Sequence, residues 1–288
     1  MRRQRRKAAM HNDAILSVKN LEKQFGPGCS TCHNESTRKL EKNYCPQCGT
    51  VYACRNISFN LFPGEILGIV GESGSGKSTL MQCLYFDEAA TSGELILNNQ
   101  EFQEENVLEL SSQQKRYIRN YHFGMVYQNP LKGLKMDFSA MGNIAEKLIA
   151  AGGRNVAEME SIGKTLLEKV HIPLFRMKEE PKRFSGGMQQ RVQIAKALSN
   201  NPPILFLDEV TTGLDLSVQA SVLDLIKTIQ RELGISMIVV SHDLAVIRML
   251  ADRTLVMLNG EVIEEGLTDQ ILEDPQNPYT QQLVYSLL

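Results

Sequence analysis

The stretch EILGIVGESGSGKST (65–79) decides the fold. Its opening EILGIVG is a nearly continuous apolar run, the composition of a strand buried on both faces of a parallel sheet. Gly71-Glu72-Ser73-Gly74-Ser75-Gly76-Lys77-Ser78 then fits G-x4-G-K-[ST] at every position, and a helix is predicted to begin near Lys77 with Thr79 in its first turn. The glycines let the backbone curl so that N–H groups and the helix N-terminus face a β-phosphate. Lys77 brings positive charge to the β/γ oxygens, and the Ser78 hydroxyl is the expected Mg²⁺ ligand.

Downstream, Ile204-Leu205-Phe206-Leu207-Asp208-Glu209 reads as a buried strand that presents Asp208 at its C-terminal edge for Mg²⁺. Glu209, one residue later, is placed to orient or deprotonate an attacking water. An Asp-Glu pair ending a strand is common by itself; beside a phosphate loop it points to nucleotide hydrolysis.

Around these elements the pattern predicts strands at 14–25, 57–62, 203–208, 235–240 and 254–260, and helices at 186–199, 217–233 and after His242. A helix-rich stretch is predicted between about Leu108 and Arg176. Strands alternating with helices imply an α/β fold with a parallel sheet covered on both faces. The chain has 288 residues, 42% hydrophobic and 22% charged, enough for a real core. No run approaches the ~18 apolar residues of a membrane span. The net charge of −2 gives no argument for nucleic acid. Arg2, Arg3, Arg5, Arg6 and Lys7 crowd the start without an acid, and read as a basic tail (1–13) or as an extension upstream of a start at Met10. No apolar segment follows them, so they are not a secretory signal.

Four of the six cysteines, Cys29, Cys32, Cys45 and Cys48, form C-x2-C-x12-C-x2-C. Each C-x2-C turn aims two thiolates at one metal, and two turns complete a tetrahedral structural Zn²⁺ site, with iron as the chemical competitor. Two disulfides are the alternative, and they would require an oxidising compartment. His33 reads as a bystander, Cys54 and Cys83 as ordinary buried thiols. The cysteine segment, 27–52, interrupts an alternating strand pattern and reads as a ribbon inserted into a hairpin.

Phe184-Ser185-Gly186-Gly187-Met188-Gln189 opens a helix before the Asp208 strand, Gln128 lies in Tyr-Gln-Asn-Pro, Thr211-Thr212-Gly213-Leu214-Asp215 follows Glu209, and His242 ends the next strand. This ordered set resembles the nucleotide-binding subunit of ATP-binding-cassette (ABC) proteins over essentially the whole chain. The resemblance implies a P-loop NTPase with a RecA-like parallel sheet, an antiparallel β subdomain and a helical subdomain at about 108–185, all within 14–265, and a C-terminal tail at 266–288. It implies ATP and Mg²⁺ as cofactors and two subunits closing head to tail on two ATP. Ser185, Gly186, Gly187 and Gln189 would grip the opposite subunit's nucleotide. Gln128 would sense γ-phosphate and Mg²⁺, His242 would contact the γ-phosphate, and Asp215 would lie at the dimer interface. Phe25 matches the aromatic that stacks on adenine, with Tyr52 as a rival because the insertion separates them. Two departures are Phe184 for the usual Leu and Val210 where the family has Pro.

Tyr127-Gln128-Asn129-Pro130-Leu131-Lys132-Gly133-Leu134, FSGGMQQR (184–191), TGLDLSVQA (212–220) and Asp274-Pro275-Gln276-Asn277-Pro278-Tyr279-Thr280 resemble the oligopeptide/nickel importer branch and, within it, ATPases associated with carbon–phosphorus lyase. That implies a cytoplasmic ATPase whose partners are soluble lyase-core subunits or, in the importer reading, a permease at the inner face of the cell membrane. A nucleic-acid factor is disfavoured by the single cassette and the paucity of aromatic residues in the ribbon. A non-hydrolysing sensor is disfavoured because Lys77, Asp208, Glu209 and His242 are all present.

Overall fold

The computed structural model describes residues 14–33, 40–102 and 105–285; the basic tail lies outside them. In chain order they form β1 (Leu16–Phe25), α1 (Ser30–His33), β2 (Val51–Leu61), β3 (Ile66–Val70), α2 (Lys77–Leu84), β4 (Ser92–Leu97), α3 (Ser112–Tyr121) and β5 (Phe123–Val126). There follow α4 (Pro130–Gly133), α5 (Ala140–Ala150), α6 (Val156–Lys169), α7 (Gly186–Leu198), β6 (Ile204–Asp208) and α8 (Leu216–Leu233). The chain closes with β7 (Ser236–Ser241), α9 (Leu244–Leu250), β8 (Arg253–Leu258), β9 (Glu261–Leu267), α10 (Thr268–Glu273) and α11 (Pro278–Tyr285). None of the helices among the described residues is long and apolar enough to cross a membrane.

The chain divides into two compact units. The first takes the described residues of Met1–Pro63, Leu67–Leu110 and Val240–Leu288. In it, β1 lies between β2 and β4 in an antiparallel sheet. A second sheet holds β3 parallel to β8, with Leu67 opposite Arg253 and Val70 opposite Val256, and β9 antiparallel to β8. Every residue of β3 is buried, as its unbroken apolar run requires.

The second unit takes Gly64–Ile66 and Ser111–Val239. Here β5 runs parallel to β6, Phe123 opposite Ile204 and Val126 opposite Leu207. Phe123 and Phe206 meet edge to face at 5.1 Å, both fully buried. Helix starts carry side-chain caps. Ser111 forms a capping box with Gln114 at α3, Asn155 accepts from Ala157 and Glu158 at α6, and Asp215 accepts from Val218 at α8. Gly234, left-handed at φ 63°, ends α8.

Three strands escape the sequence pattern. β5 interrupts the stretch expected to be helical, because four buried apolar residues give no period to read. β4 and β9 are also strands. β9 is only half-buried along its length, which explains its glutamate-rich sequence.

Candidate nucleotide site and four-cysteine centre

In the first unit the phosphate loop joins β3 to α2. Gly71 (φ 153°), Gly74 (φ 85°) and Gly76 (φ 104°) all take the left-handed conformations that glycine permits. At two of them there is also no space: a Cβ on Gly71 would stand 2.1 Å from the Met257 carbonyl oxygen, and one on Gly76 2.0 Å from that of Ala53. Gly76 thereby starts α2, and the Leu80 N–H closes its first turn on the Gly76 carbonyl at 2.9 Å. Lys77 is buried, and its ammonium donates to the carbonyls of Gly71 (2.7 Å) and Glu72 (2.9 Å) and reaches Ser75 Oγ at 3.5 Å. The charge is thus aimed by the backbone of the loop itself. Glu72, Ser73 and Gly74 are exposed at the loop tip, while Ser78 and Thr79 are half-buried in the first turn of α2. His242 is exposed one residue beyond β7, and Asp243 caps α9 by accepting from the Ala245 N–H at 2.8 Å.

In the second unit Asp208 ends β6, 5% exposed. Glu209 follows at φ 46°, a left-handed conformation that costs a non-glycine residue about 1–3 kcal/mol. Its carboxylate accepts from the Gln128 side-chain amide (Nε2 to Oε2, 2.9 Å) and the Thr212 hydroxyl (3.2 Å). The turn that lacks proline at Val210 is held otherwise: Val210 is buried and the Thr212 N–H bonds the Glu209 carbonyl at 3.1 Å.

Ser185 caps α7 through the Met188 N–H, and Ser185 and Gly186 are exposed. Gly187 faces inward, where a Cβ would strike Val218 Cγ1 at 2.3 Å, so this glycine lets α7 approach α8. Gln189 turns its amide back onto the carbonyls of Pro181 and Phe184. Phe184 is buried beneath the Arg176 guanidinium, 4.5 Å from the ring centre. Asp215 caps α8 and accepts from the Ser217 hydroxyl; its carboxyl is held below the usual range, chiefly by the Val218 N–H.

Two residues the sequence reading passed over hold Gln128 in place. Gln193, 1% exposed on α7, accepts from the Tyr127 N–H at 2.6 Å and donates back to its carbonyl at 3.1 Å. Gln190, equally buried, takes an amide proton from Gln193 and donates to the Gln128 carbonyl at 3.3 Å. Their signal was two glutamines three residues apart on the otherwise apolar face of a helix.

The chain matches the family model described as ABC transporter over residues 54–212. It belongs to the ABC family. It is 42% identical to the putative phosphonates utilization ATP-binding protein PhnK of Escherichia coli (strain K12), over 96% of this chain and 99% of that one. It is 40% identical to the glutathione import ATP-binding protein GsiA of Salmonella typhimurium over 81% of this chain, and the match spans 39% of that longer protein. Among solved structures, a dimeric post-hydrolysis state of the ATP-binding cassette MJ0796 bound to ADP and Pi superposes with a TM-score of 0.73 at 29% identity, covering 88% of this chain and 98% of that one. The cassette is an ATP-hydrolysing ATP-binding subunit, and its family uses ATP with Mg²⁺.

The cassette carries an addition in its first unit. Cys29, Cys32, Cys45 and Cys48 are free thiols whose sulfurs all lie within 4.8 Å of one another. Cys29–Cys32, Cys29–Cys45 and Cys32–Cys48 are separated by 3.5, 3.8 and 3.7 Å. Four sulfurs at about 2.3 Å from a tetrahedral Zn²⁺ stand about 3.8 Å apart, so the set fits that ion. The Tyr52 hydroxyl holds the Cys32 thiol down at about 6, and the Thr50 hydroxyl, 3.2 Å from Cys48, lowers that thiol too. Cys54 and Cys83 differ: both are fully buried, and burial pushes Cys54 up and Cys83 to about 11, as inert core thiols require.

The ribbon also separates the two aromatic candidates for adenine. Tyr52 is 4% exposed, packs on Cys32 and Cys45, and donates its hydroxyl to the Cys32 carbonyl, so it walls the ribbon and presents no open face. Phe25 is 43% exposed, with the Lys23 ammonium 4.6 Å from its ring centre.

Replacing Gln193 by Leu keeps its volume but strands the Tyr127 N–H and carbonyl. Urea unfolding is expected to show a loss of about 1–3 kcal/mol, and the ATPase rate to fall with Gln128 no longer held. Stability and turnover equal to wild type would show that the clamp carries no weight.

Proposed function

We propose that the chain is an ATP-driven clamp that pairs head to tail with a second copy around two ATP and drives conformational change in a phosphonate carbon–phosphorus lyase complex. The observation that carries this is the 42% identity, sustained over 96% of the chain, to a protein named for phosphonate utilization. The importer relatives match a smaller share of the chain, 81%.

Lys77 and the loop N–H groups bind the β- and γ-phosphates. Mg²⁺, held by Ser78, Asp208 and Gln128, supplies charge neutralisation on the phosphate oxygens. Glu209 takes the proton of the attacking water and Gln128, already bonded to it, reports the state of the site. His242 holds the attacking geometry. The exposed Ser185 and Gly186 reach the nucleotide of the opposite subunit, with Asp215 beside them at the interface. Phe25 stacks on adenine. The four thiolates hold one structural Zn²⁺, and the ribbon so formed is a docking face for the partner.

A second reading, the motor of an importer bound to a membrane permease, is favoured by the 40% identity to the glutathione importer ATPase. An affinity pull-down without detergent from phosphonate-grown host cells separates the two. Recovery with soluble lyase-core subunits supports the clamp, whereas recovery only with permease subunits from solubilised membranes overturns it.

Glu209→Gln is expected to bind ATP, to run as a dimer in gel filtration with ATP and Mg²⁺, and to lose turnover by roughly 10²–10⁴-fold. Undiminished hydrolysis would remove Glu209 from its role. Elemental analysis of the purified protein should find close to one zinc per chain, and Cys45→Ser should lose it along with thermal stability. A protein that binds iron at this site, or no metal, would rule the zinc assignment out.

A further inference from the structure

The phosphate loop has a polar contact that its own motif does not explain. The N–H of Glu72 donates to the hydroxyl of Tyr279 at 2.9 Å, across 207 residues of sequence. That N–H and the Gly71 carbonyl belong to one peptide unit, and the Gly71 carbonyl accepts from the Lys77 ammonium at 2.7 Å. In a trans peptide the two groups point to opposite sides. Tyr279 therefore holds one edge of the peptide plane whose other edge holds Lys77.

Tyr279 is itself fixed from the same unit. It is the second residue of α11, and its N–H donates to Asn277 Oδ1 at 2.9 Å. The turn before α11 is pinned to β9: both oxygens of Glu264 accept backbone N–H groups, from Gln276 at 2.7 Å and Asn277 at 3.1 Å. Gln281 closes the turn by donating to the Pro275 carbonyl at 2.9 Å. Glu264 pairs in the ladder with Val256 of β8, next to Met257, whose carbonyl abuts Gly71. One hairpin thus both backs the loop and sets the tyrosine that grips it. Burial raises the Tyr279 pKa above the ordinary phenol value.

We infer that Tyr279 is a positioning residue for nucleotide binding: its hydroxyl orients the Gly71–Glu72 peptide and, through it, the Lys77 ammonium. The C-terminal segment is in this way part of the ATP site. The inference rests on Lys77 binding the phosphates, and on nothing about the partner.

The test is a double-mutant cycle read by titration of a fluorescent ATP analogue. Lys77→Ala alone checks the underlying assignment, since it must weaken binding. Tyr279→Phe removes only the hydroxyl and is expected to weaken binding about fivefold, the worth of one hydrogen bond, with the melting temperature unmoved. In the Lys77→Ala background the same substitution should have no further effect. Wild-type affinity in Tyr279→Phe overturns the inference, and so does a loss that persists undiminished without Lys77. If Tyr279→Ala weakens binding and Tyr279→Phe does not, the ring merely packs, and the hydroxyl has no positioning role.

Discussion

Two carbonyl oxygens, those of Met257 and Ala53, press on the phosphate loop where Gly71 and Gly76 carry no side chain. The path of the loop depends on that closeness. Because the nearest atom at each of these glycines is a backbone oxygen, the curl is fixed there by chain geometry, and no rotamer change can relax it. The turn between β8 and β9 adds a third point: the Gly260 N–H donates to the Ser75 carbonyl at 3.0 Å and the Gly260 carbonyl accepts from the Arg55 N–H at 2.7 Å. Lys77 can then fold back onto the Gly71 and Glu72 carbonyls, because those carbonyls have a defined direction. Alanine at either glycine would force strands apart, so the cost would fall on the sheet as well as on the loop.

The same constraint explains how a ribbon can be inserted next to the site without disturbing it. At the neck of the hairpin of β1 and β2, Gln24 lies opposite Tyr52 and Phe25 opposite Val51, and the ladder shifts by one residue before Lys23 pairs with Cys54. Ala53, which backs Gly76, sits at that shift between the paired residues Tyr52 and Cys54. Lengthening a loop costs little, about 0.6 kcal/mol for each doubling, but ordering it needs contacts. Among its described residues, the ribbon buries Cys32, Cys45 and Tyr52 as a small core with Cys29, Leu40 and Cys48 packed against it. So small a core offsets little of the ordering entropy of the segment, and the four cysteines converge on one point beside it.

How much of this could be read beforehand follows from the kind of contact involved. Phosphate binding, metal ligation and water activation each demand particular residue types at fixed spacing, so Gly71 to Ser78, Asp208, Glu209 and the four cysteines stood out. β3, β6 and β7 were legible because fully buried parallel strands are continuous apolar runs. β5 was not, being four residues long inside a helical stretch. Tyr279 was also hidden, because a side chain bonding a distant backbone group leaves no spacing to recognise, and Gln190 and Gln193 offered only their position three residues apart on an apolar helix face. Phe25 and Tyr52 could be told apart only by burial, since both are aromatic residues at the neck of one hairpin.

These hidden residues solve a common problem. A loop that must offer backbone N–H groups to a ligand cannot be held by hydrophobic burial, which would cover the donors and leave them without partners. A hydrogen bond from a rigid element fixes one peptide plane and leaves the rest of the loop open. In the first unit the Tyr279 hydroxyl does this for Glu72; in the second, the amides of Gln193 and Gln190 do it for Tyr127 and Gln128. Both gripping elements are anchored by burial or by a carboxylate, so the loops are held from rigid parts of their own units. Glu209 follows the same logic at a different point. Its left-handed backbone is unfavourable by itself, and it is maintained by the buried Val210, the turn closed on Thr212 and a carboxylate tethered to Gln128. Within the second unit, the strain at Glu209 and the polar clamp on Tyr127 and Gln128 are therefore one arrangement. That clamp fixes the Gln128 backbone, and the Gln128 side-chain amide tethers the carboxylate of the strained residue.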